Sequence, residues 1–580
     1  MGLMSSLYTG VSGLNVSQNS LNTTAHNLAN VNTKGYVRQQ IVQSDNSYLK
    51  WGVTAVSTLQ SGLGVNIETI RQVRNTFLDK SYRQELGRQG FYQSQYDTVN
   101  EVESMFGELE GVAFQDSLAS LWTSLQELAK EPDAIEVRAT LVENAKSFLE
   151  RANTISNQLE TYQANLNSQI NDKVNRINEI ASQISKLNEQ ICRYESNGVE
   201  NANDLRDQRN NLLDELGGLV NISYKENAVG VVTVNAEGYP LVSETMTYKM
   251  GTTTVSDTSS LLKPIWLSYG DIDVFNMNMI PSTGGNTDVG SLKGLLFSRG
   301  TKEANYTDIP IRANYSSDAD YQSAIEDFNK QINTSVIMTV QAQFDQLIHG
   351  VVTAINDIFS PNKKVTVDDG AGGTKEIYIL DEENAPMGMD EPDYTQGEAL
   401  FNRKSTDRYT VQIVTIVNED GTTEPPREVR IYNEESALDM YSLFTLGEIE
   451  VNPAITNNYS ILPLSANKSG EIDTKATNAL LDIWEKSFAS VSPNSLSVSK
   501  FKDYYTNFIG DLATWGNELQ TISENQETMV RNIDDQRQSA AGVSSDEELT
   551  NLIKFQHAYN ASSRFITVID QMLEHIITRL

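Results

Sequence analysis

The distribution of proline constrains the fold of this chain more than any other sequence feature. All thirteen prolines lie between Pro132 and Pro493, and twelve of them lie between Pro240 and Pro493. Proline inside a helix removes a backbone hydrogen bond and clashes with the preceding turn. The two ends of the chain can therefore form long helices, whereas the centre must be divided into shorter elements.

The amino-terminal segment has the spacing of a coiled coil. Apolar or neutral residues recur at alternating steps of three and four, which is a heptad seam: Met4, Leu7, Val11, Leu14, Gln18, Leu21, Ala25 and Leu28. No Asp, Glu, Lys or Arg precedes Lys34, and Gly10 and Gly13 weaken the helix. We expect this helix to order when it is enclosed by other chains; the alternative is a closed bundle formed within one chain.

The carboxyl-terminal segment contains two further seams, separated by Ala541-Gly542-Val543. The first runs from Tyr505 to Gln536, and Ser545 with Glu548 predicts a capping box at the start of the second. The second seam includes these residues, which we expect at an assembly interface: Leu552, Tyr559, Ile566, Leu573 and Leu580. Two more helices are predicted between the ends, a rod over residues 135–195 and a shorter helix over 321–359.

The central part of the chain has the sequence pattern of short strands. Regions 222–309 and 361–470 contain β-branched runs separated by turn formers, including Gly370–Lys375 as a hairpin tip. The predicted fold class is mainly α with β inserts, with long terminal coiled-coil helices, a helical shaft domain and central β-rich domains. The predicted domains are a terminal coiled-coil domain (1–65 and 543–580), a helical shaft (66–221, 310–360 and 471–542) and β-rich outer inserts (222–309 and 361–470).

Composition argues against several functional classes. With 44 basic and 77 acidic residues the net charge is −33, which disfavours nucleic-acid binding because phosphate contacts need a positive surface. One cysteine, Cys192, and four histidines leave little material for a metal site, and we predict no cofactor and no enzymatic activity. No signal peptide or apolar run of membrane-spanning length is present, so no membrane contact is expected. Asp207 and Arg209 are interpreted as a helical salt bridge that orients the turn after Gly198.

One octapeptide carries a family resemblance. Residues 29–36, Ala-Asn-Val-Asn-Thr-Lys-Gly-Tyr, resemble the Ala-Asn-x-Asn-Thr-Pro-Gly-Tyr signature of bacterial flagellar rod, hook and hook-associated proteins, with Lys34 in place of proline. The resemblance marks Asn30, Asn32, Gly35 and Tyr36 as assembly residues.

Other segments are similar to the hook-associated members of this family, which join the hook to the filament. They are Asp204–Val220, with its Asp-Gln-Arg stretch, and the carboxyl terminus from Gly542. The resemblance covers about residues 1–220, 320–360 and 470–580. The alternatives are another axial component, such as the hook or distal rod protein, or a flagellum-anchored adhesin or enzyme.

The resemblance implies a structural subunit of the extracellular flagellum, secreted by the flagellar type III export apparatus. Leu7, Leu14, Leu21 and Leu28 would pack against the carboxyl-terminal seam in a tube of many copies. The implied partners are copies of the chain itself, the hook protein, a second hook–filament junction protein, and a cytoplasmic export chaperone on the carboxyl-terminal helix.

Overall fold

The long helices that the proline distribution permits are present at both ends and in the shaft. The computed structural model describes residues 3–53, 58–107, 113–196, 201–257, 259–368, 373–418, 422–495 and 497–579. Its α-helices are α1 (Leu3–Ala29), α2 (Thr76–Phe106), α3 (Phe114–Lys130), α4 (Ile135–Glu195), α5 (Asn203–Leu219), α6 (Ser291–Arg299), α7 (Asp318–Gln331), α8 (Val336–Phe359), α9 (Pro453–Asn457), α10 (Thr474–Asp482), α11 (Phe501–Ala541) and α12 (Ser545–Arg579). Within the described ranges, none of these helices has both the length and the apolar character needed to cross a bilayer.

The predicted rod is confirmed as α4, which has 61 residues and is therefore roughly 90 Å long at 1.5 Å per residue. Its apolar stripe is fully buried, from Leu141 through Ile155 and Ile170 to Ile191. Helices α3, α5, α6 and α8 pack along it. The rod is thus the axis of the shaft.

The shaft core is closed by aromatic side chains from four helices. Phe344 of α8 lies with its ring centroid 5.3 Å from that of Phe106 on α2 and 5.0 Å from that of Phe114 on α3. Phe508 of α11 lies 5.2 Å from Phe106. These edge-on contacts add to the area that the rings bury, and they join α11 to the amino-terminal half of the shaft.

The single helix predicted over 321–359 is wrong, because the structure has two helices there. Helix α7 ends at Gln331 and α8 begins at Val336. Ser335 caps α8 by accepting a hydrogen bond from the Met338 N–H at 3.4 Å. The Asn-Thr-Ser segment before Val336 contains residues that favour a helix N-cap. The apolar spacing continues across this segment, so spacing alone predicted one uninterrupted helix.

The strands form small antiparallel sheets. They are β1 (Gln39–Asp45), β2 (Tyr48–Val53), β3 (Thr58–Gly62), β4 (Val65–Gln72), β5 (Ile222–Glu226), β6 (Val232–Ala236), β7 (Tyr239–Ser243), β8 (Met246–Thr247), β9 (Met250–Thr254), β10 (Leu262–Trp266), β11 (Ile272–Asp273), β12 (Asn362–Asp368), β13 (Thr374–Leu380), β14 (Phe401–Arg403), β15 (Tyr409–Val414), β16 (Arg427–Tyr432) and β17 (Ile449–Val451). Strands β1, β2 and β3 lie in the region 1–65 that we expected to be coiled coil, and β4 lies almost wholly at the start of the expected helical shaft. Their Gln-rich and Gly-containing sequences gave only a weak strand signal.

The first β-rich region lies along α4. The sheets have the orders β5-β6-β7-β8 and β11-β10-β9. Asn188 on α4 donates to the Val232 carbonyl at 2.8 Å, and Asn178 donates to the Met250 carbonyl at 2.8 Å. Helix α6, which lies inside the predicted insert 222–309, is buried along its whole length and packs on α2.

The second β-rich region contains a four-stranded sheet in the order β12-β13-β16-β15. The register from Asn362↔Leu380 to Asp368↔Thr374 confirms the predicted hairpin, whose tip residues 369–372 lie outside the described residues. An isolated bridge between Val367 and Ile416 brings the ends of β12 and β15 together around a small apolar core. A second hairpin tip is predicted from the sequence Asn418-Glu-Asp-Gly, because Asp-Gly follows an alternating run that begins at Tyr409. Its residues 419–421 also lie outside the described residues.

Polar groups on α8 fix this second region to the shaft. The buried Asp345 carboxylate accepts from the Tyr306 N–H at 3.0 Å and the Leu446 N–H at 2.8 Å. The His349 ring stacks on Tyr306 at 3.8 Å, and its Nε2 lies 3.2 Å from the Glu435 carboxylate. The insert is therefore anchored by buried hydrogen bonds as well as by apolar contact.

Candidate assembly interface

The two ends of the chain pack on each other as an antiparallel helical hairpin, α1 against α12. A Cβ placed on Gly10 would lie 2.9 Å from Ile566 Cγ1, and one on Gly13 would lie 3.0 Å from Ser562 Oγ. At the opposite end of the pair, Asn27 Nδ2 donates to Glu548 Oε2 at 3.1 Å. The glycines that weaken α1 as an isolated helix are thus the residues that permit the close approach of α12.

The buried residues of α1 are mainly small and uncharged. They are Ser5, Gly10, Val16, Ser17, Ser20, Thr24 and Asn27. The Ser17 hydroxyl donates to the Gly13 carbonyl at 2.7 Å, and the Ser20 hydroxyl donates to the Val16 carbonyl at 2.8 Å. Because these hydroxyls are satisfied inside their own helix, α1 can be buried without charged partners.

The predicted seam residues are only partly covered by the chain itself. In α1, Leu7, Leu14, Leu21 and Leu28 are half-buried. In α12, the half-buried seam residues are Leu552, Tyr559, Ile566 and Leu573, while Leu580 lies outside the described residues. The hairpin therefore brings the two seams together without enclosing them, and it differs from the closed bundle that was the alternative.

Both helices of the hairpin carry exposed apolar side chains. On α12, Phe565, Val568, Met572 and Ile576 recur at steps of three and four and therefore share one face. Other exposed apolar residues of α12 lie at different angles around the helix: Leu549, Ile553 and Ile577, of which Ile577 is 74% exposed. On α1, Met4 is 59% and Tyr8 is 64% exposed. Exposed apolar side chains grouped on one helix face mark an interaction site.

The signature turn, residues 29–36, connects the hairpin to the shaft. Asn30 Nδ2 donates to the His26 carbonyl at 3.0 Å, and the Tyr36 hydroxyl donates to Asn27 Oδ1 at 2.9 Å. Gly35 has φ +79°, and a Cβ there would lie 2.0 Å from Asn211 Oδ1 of α5. Glycine is therefore required at position 35 both by the backbone conformation and by the approach of α5. The fourth predicted residue of the turn, Asn32, is exposed.

Asp207 of α5 receives the chain directly after the turn. Its Oδ2 accepts from the Val37 N–H at 3.1 Å, and its Oδ1 accepts from Gln72 Nε2 at 2.7 Å. Arg74 Nη1 lies 3.6 Å from Oδ1. Burial raises the pKa of Asp207 to about 7, although these donors and the Arg74 charge favour the ionised form.

The predicted salt bridge between Asp207 and Arg209 is wrong, because the two side chains leave α5 toward different elements. Arg209 Nη1 donates to Asn188 Oδ1 of α4 at 3.0 Å, and its Nη2 lies 3.2 Å from Glu226 Oε1 of β5. The turn after Gly198 that this pair was expected to orient lies outside the described residues. Residues two apart on a helix do not face each other, so tertiary partners determine both contacts.

Arg38 joins the turn to the start of α12. Its Nε donates to Glu548 Oε1 at 2.9 Å, its Nη1 donates to Glu547 Oε2 at 3.0 Å, and its backbone N–H donates to the Ala541 carbonyl at 2.8 Å. The predicted capping box is wrong, because the Glu548 carboxylate binds Arg38 and Asn27 and only 2% of the residue is exposed. The Glu547 N–H instead lies 3.5 Å from the hydroxyl oxygen of Ser544.

A second charged network holds the end of α11. Arg537 Nη2 donates to Asp214 Oδ2 of α5 at 2.9 Å, and its Nε lies 3.3 Å from Asp79 Oδ1 of α2. Arg83 Nε donates to the other Asp214 oxygen at 2.6 Å. The signature turn, the start of α2 and the α11–α12 connection together border a polar cavity of 610 Å³.

The chemistry of this region is that of packing and orientation. Within the described ranges, no group of three or more His, Cys, Asp or Glu side chains is arranged to hold a metal ion. Sequence reasoning missed Asn27 and Arg38 and gave Glu548 a capping role, whereas these three residues connect the turn to both terminal helices. The available signal was the placement of a cation two residues after the signature and of acidic residues 546–548 at the start of the last helix.

Known families match three successive parts of the chain. "Flagella basal body rod protein" matches residues 7–36, "Flagellar hook-associated protein FlgK helical domain" matches 99–373, and "Flagellar basal body rod FlgEFG protein C-terminal" matches 535–579. The first and third contain most of α1 and α12 and the signature turn, and the second contains most of the shaft. The fold and the terminal hairpin therefore define a bacterial flagellar axial protein, a structural component of the flagellum.

Relatives that align over nearly the full length of the chain are hook-associated members of this class. Flagellar hook-associated protein 1 of Bacillus subtilis (strain 168) is 26% identical over 98% of this chain and 97% of its own length. That of Escherichia coli (strain K12) is 24% identical over 99% and 100%. The solved flagellar hook junction protein FlgK of Burkholderia pseudomallei shares the fold, with a TM-score of 0.50 and 14% identity over 80% of this chain and 100% of that one. The chain is thus similar over nearly its full length to flagellar hook-associated protein 1, and its residues 99–373 match the helical domain of that protein.

Proposed function

We propose that this chain is the structural subunit of the junction between the flagellar hook and filament, and that it assembles through its terminal helices. The observation that carries the proposal is the exposed apolar face of α12, formed by Phe565, Val568, Met572 and Ile576. At about 25 cal/mol for each Å² of apolar surface removed from water, covering this face on assembly stabilises the joined state.

The hairpin supplies two different surfaces for neighbours. One is the exposed face of α12, and the other includes Met4, Tyr8 and Val11 on α1. Contacts between unlike surfaces of successive copies generate an open helical array when the rotation does not close a ring. The terminal domain of residues 1–65 and 543–580 then lies in the tube wall. The shaft, residues 66–221, 310–360 and 471–542, supports the inserts 222–309 and 361–470 outside it.

A junction subunit needs different partners at its two ends. We assign copies of itself as lateral neighbours, the hook protein on one side and a second hook–filament junction protein on the other. Before export, the apolar face of α12 needs a cover, and a cytoplasmic chaperone on this carboxyl-terminal helix fits that need. Export by the flagellar type III apparatus then delivers the chain to the extracellular flagellum.

The test is to place a charge on the exposed face of α12. Val568→Asp is expected to abolish filament attachment, because the carboxylate would have to be buried among apolar side chains on assembly. Cells that express only this variant should swim poorly and bear hooks without filaments in electron micrographs. The purified variant should keep the unfolding curve of the parent chain.

The matched control is Thr567→Asp, which adds the same charge at the neighbouring exposed position on α12. This variant should restore filaments and swimming. Immunoblots of the culture medium establish that both variants are exported. Normal filaments in cells carrying Val568→Asp would contradict the assigned interface.

A further inference from the structure

A cavity of 480 Å³ lies between the first β-rich region and the shaft, away from the assembly interface. Lys263 of β10 and Asp273 of β11 border one side, the loop through Met277 borders another, and Leu296 and Arg299 of α6 border a third. Val255 and Thr301 complete the lining. This volume falls in the range of small-molecule sites. The contacts proposed for assembly use none of these residues.

Arg299 brings an unbalanced positive charge to this cavity. The residue is 1% exposed, and its Nε donates to the Gly300 carbonyl at 3.0 Å. Its Nη1 donates to the Leu262 carbonyl at 2.7 Å and to the Asn167 side-chain oxygen. These acceptors are neutral, and within the described ranges no carboxylate lies at ion-pair distance from this guanidinium. Burial lowers the pKa of Arg299 to about 10.

The other charges at the cavity compensate each other. Lys263 Nζ lies 2.8 Å from Asp273 Oδ1, so the carboxylate of Asp273 already has a cationic partner. Arg299 therefore remains as the charge that a bound anion would neutralise. A buried cation without a counter-charge is unfavourable, and a carboxylate ligand would relieve that cost.

The remaining lining combines four apolar residues with three polar ones, which are Asn276, Asn278 and Thr301. Val255, Phe275, Met277 and Leu296 contribute side chains to the cavity wall. An adjoining cavity of 140 Å³ shares Met277, Asn278, Leu296 and Thr301 and extends toward the start of α8 at Ser335. A ligand with a charged head at Arg299 and an extended apolar body would contact both parts.

We propose that this cavity binds a small organic carboxylate with an unbranched apolar chain. The carboxylate pairs with the Arg299 guanidinium, and the chain lies along Met277 and Leu296. This inference does not rest on the proposed junction role, since it concerns a different part of the molecule.

The test is isothermal titration calorimetry of the full chain with octanoate and with 1-octanol, which has the same chain length and no charge. Octanoate should bind saturably and at least about tenfold more tightly than octanol, a difference of about 1.4 kcal/mol. Arg299→Gln should weaken octanoate binding at least about tenfold and leave octanol binding unchanged. Arg312→Gln is the matched control, because Arg312 is half-exposed and pairs with Asp318 away from the cavity.

A second variant keeps the test decisive if Arg299→Gln does not fold. Val255→Trp leaves Arg299 in place, and the larger side chain occupies the cavity, so this variant should abolish octanoate binding. The proposal is overturned if the parent chain shows no saturable heat with octanoate at millimolar concentration. It is equally overturned if a folded Arg299→Gln or Val255→Trp variant binds octanoate as tightly as the parent.

Discussion

Helices α11 and α12 have the same apolar spacing in sequence and very different surroundings in the structure. Helix α11 buries nine residues, among them Phe501, Tyr504 and Phe508, against α2, α8 and the rest of the shaft. Helix α12 buries only Glu548 and Ile569 among its described residues. A 3–4 repeat therefore establishes that a helix has an apolar face, and it leaves open whether the same chain covers that face.

The same contrast holds for the partner helices. Helix α2, the partner of α11, carries buried Phe91, Val99 and Phe106. Helix α1, the partner of α12, buries mostly Ser, Thr, Asn and Gly. A helix pair with a small-residue contact and exposed apolar outer faces is stabilised further by neighbours, which is the property needed of an assembly element.

The largest effect is expected for loss of a core aromatic in the shaft. Phe344→Ala should reduce the free energy of unfolding by about 3–5 kcal/mol, because Phe344 is 1% exposed and its cavity is lined by rigid rings. Ile577→Ala on α12 removes a similarly apolar side chain that is 74% exposed, and the expected change is within about 0.5 kcal/mol. Urea unfolding followed by circular dichroism measures both. Equal losses from the two variants would contradict the contrast between shaft and hairpin.

Removal of α12 sharpens the same comparison. A chain ending at residue 544 should keep the shaft unfolding transition, whereas α1 loses the partner that packs at Gly10 and Gly13. Amide hydrogen exchange in residues 3–29 should therefore become fast, and exchange in α4 should be unchanged. Persistent protection of α1 in the truncated chain would show that the helix is stable without α12.

The elements that were predicted correctly from the sequence are those that a local sequence pattern specifies. The rod at 135–195 and the break near Gly542 were correct, because continuous periodicity and a glycine between two seams are local signals. The contacts of Glu548 and Asp207 were not predicted, since each has a local interpretation (a capping box and a helical salt bridge) that distant partners override. Arg38 and Glu548 are 510 positions apart, and no local pattern joins them.

The two neighbouring glutamates at the start of α12, Glu547 and Glu548, allow a matched test of the contacts between the hairpin and the shaft. Glu548→Gln removes the charge of a nearly buried side chain that binds Arg38 and Asn27, and a loss of about 2 kcal/mol in local stability is expected. Glu547 binds the same arginine with 62% of its side chain exposed, so Glu547→Gln should cost less than about 1 kcal/mol. Hydrogen exchange of the Arg38 amide, which is bonded to Ala541, reports the opening. A larger effect of Glu547→Gln would mean that the exposed Arg38–Glu547 contact, and not the buried Arg38–Glu548 contact, holds the hairpin on the shaft.

The smallest effect concerns pH and the anchor of the signature turn. Burial, opposed by Arg74, Gln72 and the Val37 N–H and reinforced by Asp204, raises the pKa of Asp207 from 3.8 to about 7. A raised carboxyl pKa means that the folded state binds the proton more tightly than the unfolded state. Its contribution to stability is therefore complete below about pH 4 and is lost as the pH rises through 7.

Between pH 6 and pH 8, this single group should lower the free energy of unfolding by about 1 kcal/mol. Asp207→Asn removes the titration while keeping an oxygen acceptor for the Val37 N–H. Other titrating groups contribute equally to both proteins, so the parent-minus-variant difference in urea unfolding between the two pH values isolates Asp207. A difference of zero would mean that Asp207 is already ionised at pH 6. An ion pair between Asp207 and Arg74 would then hold the signature turn, as ion pairs hold Arg537 at the end of α11. A protonated Asp207 would instead hold the turn through neutral hydrogen bonds alone.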